Sequence, residues 1–265
     1  MAPVAPIVPR MSDQVRYVQG DQPEGVPPLE LTGERTLPDV PEENYWYRRH
    51  VAVYEWIAER CRGLRVADLA SGEGYGSDLL AGAAAEVIGV DANPEAYQHS
   101  RTRYTRSNLS FRRGLVEEFD DAVDAVVFLQ TIEHIHEPEK LLAQIAKVAP
   151  VAYISTPNRL TLAGPDAEKS ENPWHLVEYD IGQYRELLAP HFASVEVLGV
   201  FHARKLKVHE TAIRLGWDRF HRFTRLTVPF YDRFIPAISA SDFVLREGGD
   251  GDLDKALDFV AICRR

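Results

Sequence analysis

The stretch RVADLASGEGYGSDLLA, residues 65–81, decides the fold that this sequence predicts. It opens with a short apolar run, residues 66–70, which has the length of one buried strand. Glycine then occupies positions 72, 74 and 76, and helix-forming residues follow. A strand, a glycine-rich loop and a helix in this order open a doubly wound α/β sheet, where the loop lies at the carboxyl end of the first strand. Glycine in such a loop permits positive φ angles and a close approach of the backbone to a ligand.

The spacing of these glycines differs from the dinucleotide-binding fingerprint G-x-G-x-x-G. A count that starts at Gly72 ends on Ser77, and a count that starts at Gly74 ends on Leu79. The sequence has instead the pattern D-x-A-x-G-x-G-x-G over residues 68–76. The loop therefore does not predict a dinucleotide site.

A second apolar run, residues 87–91, ends in Asp91. This acid follows the glycine-rich loop at about the distance at which an acid on the second strand binds ribose hydroxyls. A glycine-rich loop, a helix and an acid-terminated strand in this order predict a site for a nucleoside cofactor. The alternative is that Asp68 and Asp91 are loop acids that only cap helices.

Composition narrows the class of protein. The chain has 265 residues and a net charge of −10, which argues against a general nucleic-acid-binding protein because phosphate contacts need a basic surface. Its two cysteines, Cys61 and Cys263, are too few for a disulfide framework and suit a reducing compartment. No apolar run approaches the roughly 20 residues of a membrane helix, and the N-terminus does not resemble a signal peptide. We therefore expect a cytoplasmic enzyme without a membrane span.

The chain divides into an arm and one α/β domain. Residues 1–30 are rich in proline and have little apolar periodicity, so we expect a flexible N-terminal arm. Residues 31–265 form the domain, in which a helical pattern over residues 42–62 precedes the first strand. Residues 201–250 form an insertion before the final strand. The sequence leaves the oligomeric state open.

Polar residues follow the strand predicted over the apolar run of residues 125–130, and they include Glu133 and His134. Ligands bind at the carboxyl ends of the strands in open α/β sheets. The polar, turn-rich segment 160–179 includes His175 and predicts a lid over this edge of the sheet.

These segments together resemble class I S-adenosylmethionine (SAM) dependent methyltransferases, whose motif I matches residues 68–76 with Ala70 in place of the usual first glycine. The segment NPWHLVEY, residues 172–179, resembles the lid of the UbiG-like, or methyltransferase type 11, branch. LTGERT at residues 31–36 and ENYWYRRH at residues 43–50 are most similar to actinobacterial methyltransferases associated with methylglucose lipopolysaccharide. The resemblance implies a Rossmann-like fold with a seven-stranded, mostly parallel sheet, helices on both faces, an N-terminal helical extension and the insertion before the last strand.

The resemblance also implies which residues hold SAM, and its product S-adenosylhomocysteine after transfer. The backbone of the glycine-rich loop lies beneath the methionine part in this family, the acid at the end of the second strand binds the ribose, and an arginine from the helix before the first strand binds the carboxylate in some relatives. Adenine recognition is expected from backbone groups around Val116 or from Glu117, because Leu115 stands where relatives have an acid. The expected SAM-binding residues are Asp68, Ala70, Gly72, Gly74, Asp91, Ala92, Val116, Gln130 and Arg49.

The same resemblance implies methyl transfer to a hydroxyl, with a sugar or oligosaccharide as the expected acceptor and the insertion on the acceptor side. A sugar hydroxyl is a weak nucleophile unless a general base takes its proton during attack. Histidine is the usual base near neutral pH, so His134 is the first candidate and His175 the second. Glu133 is the neighbour expected to orient His134. The alternative is that these residues only hold the loop and pack the lid.

Three further alternatives stay open. One alternative is that the acceptor is a quinol, a lipid or a natural product, which the aromatic and basic residues of 209–230 would suit. A second alternative is that the protein is a non-catalytic SAM-binding module. A third alternative is that a divalent ion such as Mg²⁺ takes part, since Glu133, His134, His136 and His175 are suitable ligand types. We predict no metal site, because the neighbouring residues Glu133 and His134 are not expected to face one centre.

Overall fold

A computed structural model describes residues 16–17, 24–32, 35–217 and 227–265. The strands are β1 (Arg16–Tyr17), β2 (Leu29–Glu30), β3 (Arg65–Leu69), β4 (Glu86–Asp91), β5 (Leu109–Arg113), β6 (Ala125–Leu129), β7 (Val151–Pro157), β8 (Ser194–His202), β9 (Phe243–Arg246) and β10 (Asp258–Arg264). The helices are α1 (Asn44–Arg60), α2 (Tyr75–Ala81), α3 (Pro94–Arg103), α4 (Pro138–Val148), α5 (Arg159–Leu162), α6 (Ile181–Leu188), α7 (Arg204–Arg214), α8 (Thr227–Phe234) and α9 (Asp250–Leu253). A short 3₁₀ turn, Ile132–His134, follows β6.

Eight strands form one sheet in the order β5-β4-β3-β6-β7-β10-β8-β9. Strands β3 to β7 are parallel to one another. Strand β10 runs antiparallel to both β7 and β8, so β8 points the same way as β7. The predicted α/β fold with a mostly parallel sheet is confirmed.

The predicted number of seven strands is wrong, because β9 adds an eighth at the edge of the sheet. It lies inside the insertion and pairs antiparallel with β8. Only Phe243 of its four residues is buried, so the segment lacks the apolar run by which the central strands are recognised.

The central strands are apolar because both of their faces are covered. Every residue of β6 is buried, and so are four of the five residues of β3. One face packs against a core to which α4 and α6 contribute Leu141 and Tyr184. The other face packs against α1 and α2, with Ile57 and Leu80 fully buried. Helices on both faces leave the strand ends as the place for a site.

The insertion begins at the carboxyl edge of the sheet, since β8 ends there at His202. It packs back onto the first turn of α1, where the Asn44 side chain donates hydrogen bonds to the carbonyls of Ile235 and Ile238. The Tyr45 hydroxyl lies 2.7 Å from His202 Nε2. Residues 218–226, the middle of the aromatic and basic segment, lie outside the described residues.

The segment before α1 packs on the domain. Leu29, Leu31, Leu37 and Val40 form a small apolar cluster of their own. The Pro27 carbonyl accepts a hydrogen bond from His99 of α3. The predicted arm over residues 1–30 lies mostly outside the described residues, but its described part from residue 24 includes this packed segment. No helix in the described part of the chain is long and apolar enough to cross a membrane.

Candidate active site

The glycine-rich loop joins β3 to α2 in left-handed backbone conformations. Ala70, Gly72 and Gly74 have φ angles of 59°, 56° and 102°. A Cβ atom built on Gly72 would meet no heavy atom within 4 Å, so the loop faces open space there. A Cβ atom on Gly74 would instead lie 2.7 Å from the Ser100 Cβ, so the third helix packs directly on the loop.

The third glycine of the motif serves helix packing. A Cβ atom on Gly76 would lie 2.1 Å from Tyr54 Cζ, so glycine is required for α1 to pack on α2. The Tyr54 hydroxyl donates to Asp68 Oδ1, and the Ser77 hydroxyl donates to Asp68 Oδ2 at 2.6 Å. Burial raises the pKa of Asp68 to about 7, although the two hydrogen bonds lower it. Asp68 therefore links the start of the glycine-rich loop to α1 and α2 through these two hydrogen bonds.

Asp91 lies at the carboxyl end of β4, beside the glycine-rich loop. Its Oδ2 accepts a hydrogen bond from the Gly72 amide and its Oδ1 accepts one from the Asn93 amide, both at 2.8 Å. The carboxylate is only half-buried, which leaves its remaining lone pairs accessible. Ala92, the next residue, is exposed.

Gln130 follows β6 with a φ angle of 51°. A non-glycine residue in this region is strained, and such strain gathers at functional sites. Ala70 and Gln130 both have a positive φ angle, and they directly follow the neighbouring strands β3 and β6. Ser155 of β7 holds Gln130 through hydrogen bonds to its amide and side chain. Val116 begins a turn after β5 and is buried, whereas Leu115 is exposed.

The loop residues fit a nucleoside cofactor with a methionine part. Ser71 lies between Ala70 and Gly72, and its buried hydroxyl has no hydrogen-bond partner among the described residues. An unpaired buried hydroxyl is costly unless a ligand satisfies it. Open space over Gly72 and the half-buried Asp91 carboxylate are the other two features that such a cofactor needs. We therefore propose that the backbone of residues 70–74, Asp91 and Gln130 hold such a cofactor.

Glu133 lies buried under the lid, with 1% of its surface exposed. Its carboxyl accepts a hydrogen bond from the Thr156 hydroxyl, and burial raises its pKa to about 8. Its backbone carbonyl accepts hydrogen bonds from the amides of Leu176 and Val177. Glu133 thus fastens the lid to the end of β6 by its backbone. The Glu133 carboxyl binds the Thr156 hydroxyl, while His134 is oriented by a different group.

That group is the carbonyl of Trp174, which lies 2.9 Å from His134 Nδ1. Because a carbonyl oxygen only accepts, Nδ1 carries a proton, and in the neutral form of the ring the lone pair lies on Nε2. The His134 ring meets the His175 ring edge to face, with centroids 5.0 Å apart. The lid therefore orients the His134 ring through the Trp174 carbonyl.

His175 is buried within the lid, and hydrogen bonds engage both of its ring nitrogens. Nδ1 lies 2.6 Å from Glu178 Oε1, and Nε2 lies 2.9 Å from the Asn172 amide nitrogen. Burial raises the pKa of Glu178, but hydrogen bonds from His175 and Ser170 outweigh it and hold that pKa below its usual value. This network makes His175 a brace of the lid.

Contrary to the expectation from the sequence, ligand atoms of the neighbouring residues Glu133 and His134 approach one centre. One ligand atom from each of Glu133, His134 and His175 lies within 4.8 Å of the others. The two neighbours converge because they stand on a tight 3₁₀ turn, and the lid brings His175 onto them through its hydrogen bonds to Glu133. Spacing along the chain does not show this arrangement.

Arg49 of α1 has a carboxylate partner within the chain. Its guanidinium forms a two-pronged, buried ion pair with Asp258 and also donates to the Leu257 carbonyl. Asp258 begins β10, and since β10 is antiparallel to β7 this residue lies at the carboxyl edge. The predicted contact of Arg49 with the carboxylate of SAM stays a prediction.

Sequence reasoning missed the residues that support the site from behind. Ser71, Tyr54, Ser155 and Asp258 are single polar residues in otherwise apolar or unremarkable segments. Ser71 lies inside the motif of residues 68–76, where a small polar side chain could have indicated a ligand contact. The others come from elements distant in sequence, and only the fold brings them to this edge.

The fold and site define a class I SAM-dependent methyltransferase, and comparisons with known proteins agree. Residues 67–150 match a family model described as a methyltransferase domain. A "probable S-adenosylmethionine-dependent methyltransferase" of Mycolicibacterium smegmatis is 37% identical over 260 residues, covering 93% of this chain and 99% of that protein. Another from Mycobacterium tuberculosis is 35% identical over 268 residues, covering 94% and 96%.

A solved SAM-dependent methyltransferase from Thermotoga maritima shares the fold, with a TM-score of 0.55 at 14% identity over 83% of this chain and 91% of that one. This chain belongs to the family of SAM-dependent methyltransferases. Its cofactor is SAM.

The Asp91→Ala variant is expected to bind SAM about 1–3 kcal/mol more weakly, because charge-assisted hydrogen bonds to the ribose are lost. Calorimetric titration of SAM into the purified protein measures the change. Asp91→Asn is the matched control, since its amide oxygen still accepts from the Gly72 amide. An unchanged affinity in Asp91→Ala would show that another residue binds the ribose.

Proposed function

We propose that this protein transfers a methyl group from SAM to a hydroxyl of a sugar or oligosaccharide during the synthesis of a methylated polysaccharide. The observation that carries the proposal is the position of Trp174. Its side chain is 48% exposed, while its carbonyl binds the candidate base His134. An exposed aromatic ring can stack on the C–H face of a sugar, and its indole N–H can donate to a hydroxyl.

His134 is the proposed general base. When bound, SAM supplies a methyl group on a positively charged sulfur, which leaves as a neutral thioether. His134 Nε2 accepts the proton of the acceptor hydroxyl as the hydroxyl oxygen bonds to that methyl group. Trp174 keeps the lone pair on Nε2 through its carbonyl. His175 is the second candidate, and its hydrogen bonds to Glu178 and Asn172 favour a role in bracing the lid.

The lid and the insertion form the proposed acceptor side of the cleft. The lid is fastened over the end of β6, and the insertion starts from the end of β8 at the same edge. The edge between them bears the Tyr45–His202 contact and the Arg49–Asp258 pair. We place the reaction in the cytoplasm, which two buried free thiols support.

The proposal is tested by incubating the protein with labelled SAM and a panel of oligosaccharides, quinols and acyl acceptors, and locating the label by mass spectrometry. We expect label on a sugar hydroxyl. Label on a quinol or a lipid would replace the sugar by that acceptor, and absence of transfer to every acceptor would favour a SAM-binding module.

With the sugar acceptor, Trp174→Ala is expected to raise KM about tenfold, which corresponds to the roughly 1–1.5 kcal/mol of an aromatic stacking contact. Trp174→Phe is the matched control, because it keeps an aromatic face and should keep most of the affinity. Equal KM values for the parent and Trp174→Ala would exclude the ring as an acceptor platform.

A further inference from the structure

We infer that Glu133, His134 and His175 form a binding site for one divalent transition-metal cation. The three residues offer two imidazole nitrogens and one carboxylate oxygen, and one such atom from each lies within 4.8 Å of the others. Ligands held about 2.0–2.2 Å from a zinc ion are roughly 3.5 Å apart, so rotations of the side chains that move each atom by about 1 Å complete the site. We call these residues the Glu-His-His cluster.

Oxygen acceptors orient both imidazoles as metal-binding histidines require. His134 Nδ1 donates to the Trp174 carbonyl, and His175 Nδ1 donates to the Glu178 carboxylate. Such partners fix the proton on one nitrogen and leave the other to bind a metal ion. His175 Nε2 now accepts from the Asn172 side chain, and binding of a cation displaces that amide.

The charge of the cluster also favours a cation. Glu133 is buried, and its carboxyl forms no ion pair with a lysine or arginine in the described part of the chain. Its carboxyl accepts a hydrogen bond from the neutral Thr156 hydroxyl. A buried carboxylate without a counter-charge is costly, and a bound cation supplies that charge.

The donor set selects the class of ion. Two imidazoles with one carboxylate suit Zn²⁺, Co²⁺, Mn²⁺ or Fe²⁺, whereas Mg²⁺ and Ca²⁺ prefer sites made of oxygen ligands. Three protein ligands leave coordination positions open, as in catalytic metal sites. A bound cation would occupy Nε2 of His134 and so would replace this imidazole as the group that activates the acceptor. It would bind the acceptor hydroxyl and lower its pKa, with the hydroxyl proton released to water before the methyl group is transferred. This catalytic consequence rests on the proposed function, but the binding does not.

The test is calorimetric titration of the full chain, freed of metal by dialysis against a chelator, with CoCl₂, MnCl₂, ZnCl₂ and MgCl₂ in separate runs without SAM. We expect one equivalent of Co²⁺, Mn²⁺ or Zn²⁺ to bind at least about tenfold more tightly than Mg²⁺. The visible absorption of the Co²⁺ complex reports coordination independently of activity.

Two variants remove a ligand while keeping its neighbouring hydrogen bond. Glu133→Gln still accepts from Thr156, and His134→Asn still donates to the Trp174 carbonyl. Each should weaken Co²⁺ binding at least about tenfold, since loss of an outer partner alone costs that much. The control is His191→Gln, which precedes β8 at the opposite edge of the sheet and should bind as the parent does.

The inference is overturned if the parent binds none of the four ions, if both ligand variants keep the parental affinity, or if His191→Gln loses as much affinity. Methyl transfer measured with and without chelator separates the two proposals. Intact cation binding without transfer to any acceptor contradicts the proposed function alone. Transfer that proceeds in a protein unable to bind cations contradicts the cation site alone.

Discussion

The His134→Ala variant is expected to lose about 100-fold or more in kcat while its affinity for SAM stays nearly unchanged. A positioned general base contributes about 10²–10⁴-fold to such a reaction. The lid carbonyl of Trp174 holds the His134 ring in place. We propose that SAM lies over the backbone of the glycine-rich loop, so its binding is not expected to depend on the imidazole. Steady-state kinetics with the identified acceptor, together with calorimetry for SAM, measures both quantities.

The matched control is His134→Asn, whose amide nitrogen keeps the hydrogen bond to the Trp174 carbonyl but has no basic nitrogen in place of Nε2. We expect it to be as slow as His134→Ala. If His134→Asn turns over at the parental rate, the histidine only holds the lid, and alignment of donor and acceptor carries the reaction. If a cation binds at the Glu-His-His cluster, we expect the same loss of kcat in both variants. In that case the parent also loses activity when a chelator is added.

The free energy of unfolding of the Asp258→Ala variant is expected to be about 3–5 kcal/mol lower than that of the parent. Removing one partner of a buried ion pair leaves the other charge without compensation, and that cost is typical of such changes. Arg49 and Asp258 are both almost fully buried, and the guanidinium binds both carboxylate oxygens. Urea unfolding of the two proteins, followed by the far-ultraviolet circular dichroism, measures the difference.

The double variant Arg49→Leu/Asp258→Leu is the control for this prediction. Without either charge the buried region is apolar, so it should be more stable than Asp258→Ala. A double variant as unstable as Asp258→Ala would mean that packing at Asp258, and not the charge, is responsible. The SAM affinity of the double variant also tests the predicted contact of Arg49 with the SAM carboxylate. If that contact exists, the double variant should bind SAM more weakly than the parent does.

The sequence predicted the elements that are local and regular. The apolar runs of β3, β4 and β6 are strands because a parallel strand buried on both faces must be apolar along its whole length. The motif over residues 68–76 predicted the loop because only a few residue types tolerate positive φ angles, and Gly72 and Gly74 have them. Ala70 adopts the same conformation without being glycine, so the fold and not its own preference holds it there.

The edge strand β9 and the packed part of the N-terminal segment were not predicted, because they are neither regular nor held by local contacts. Both are short, and their stability comes from the surfaces they cover. Phe243 packs with Tyr45 of α1, and Leu29 packs with Leu37 in a small cluster. Periodicity does not reveal a segment of two to four residues, because its partners lie elsewhere in the chain.

By itself the sequence determined that this protein has a doubly wound α/β fold and a nucleoside cofactor site, because strand, loop, helix and acid follow one another within residues 65–91. The tertiary structure alone decided which side chains act together. Glu133 meets His175 through hydrogen bonds from the lid, and Arg49 meets Asp258 across the sheet edge. Local preferences are set by neighbours in the chain, whereas a site is set by distances between segments that only the packed sheet brings together.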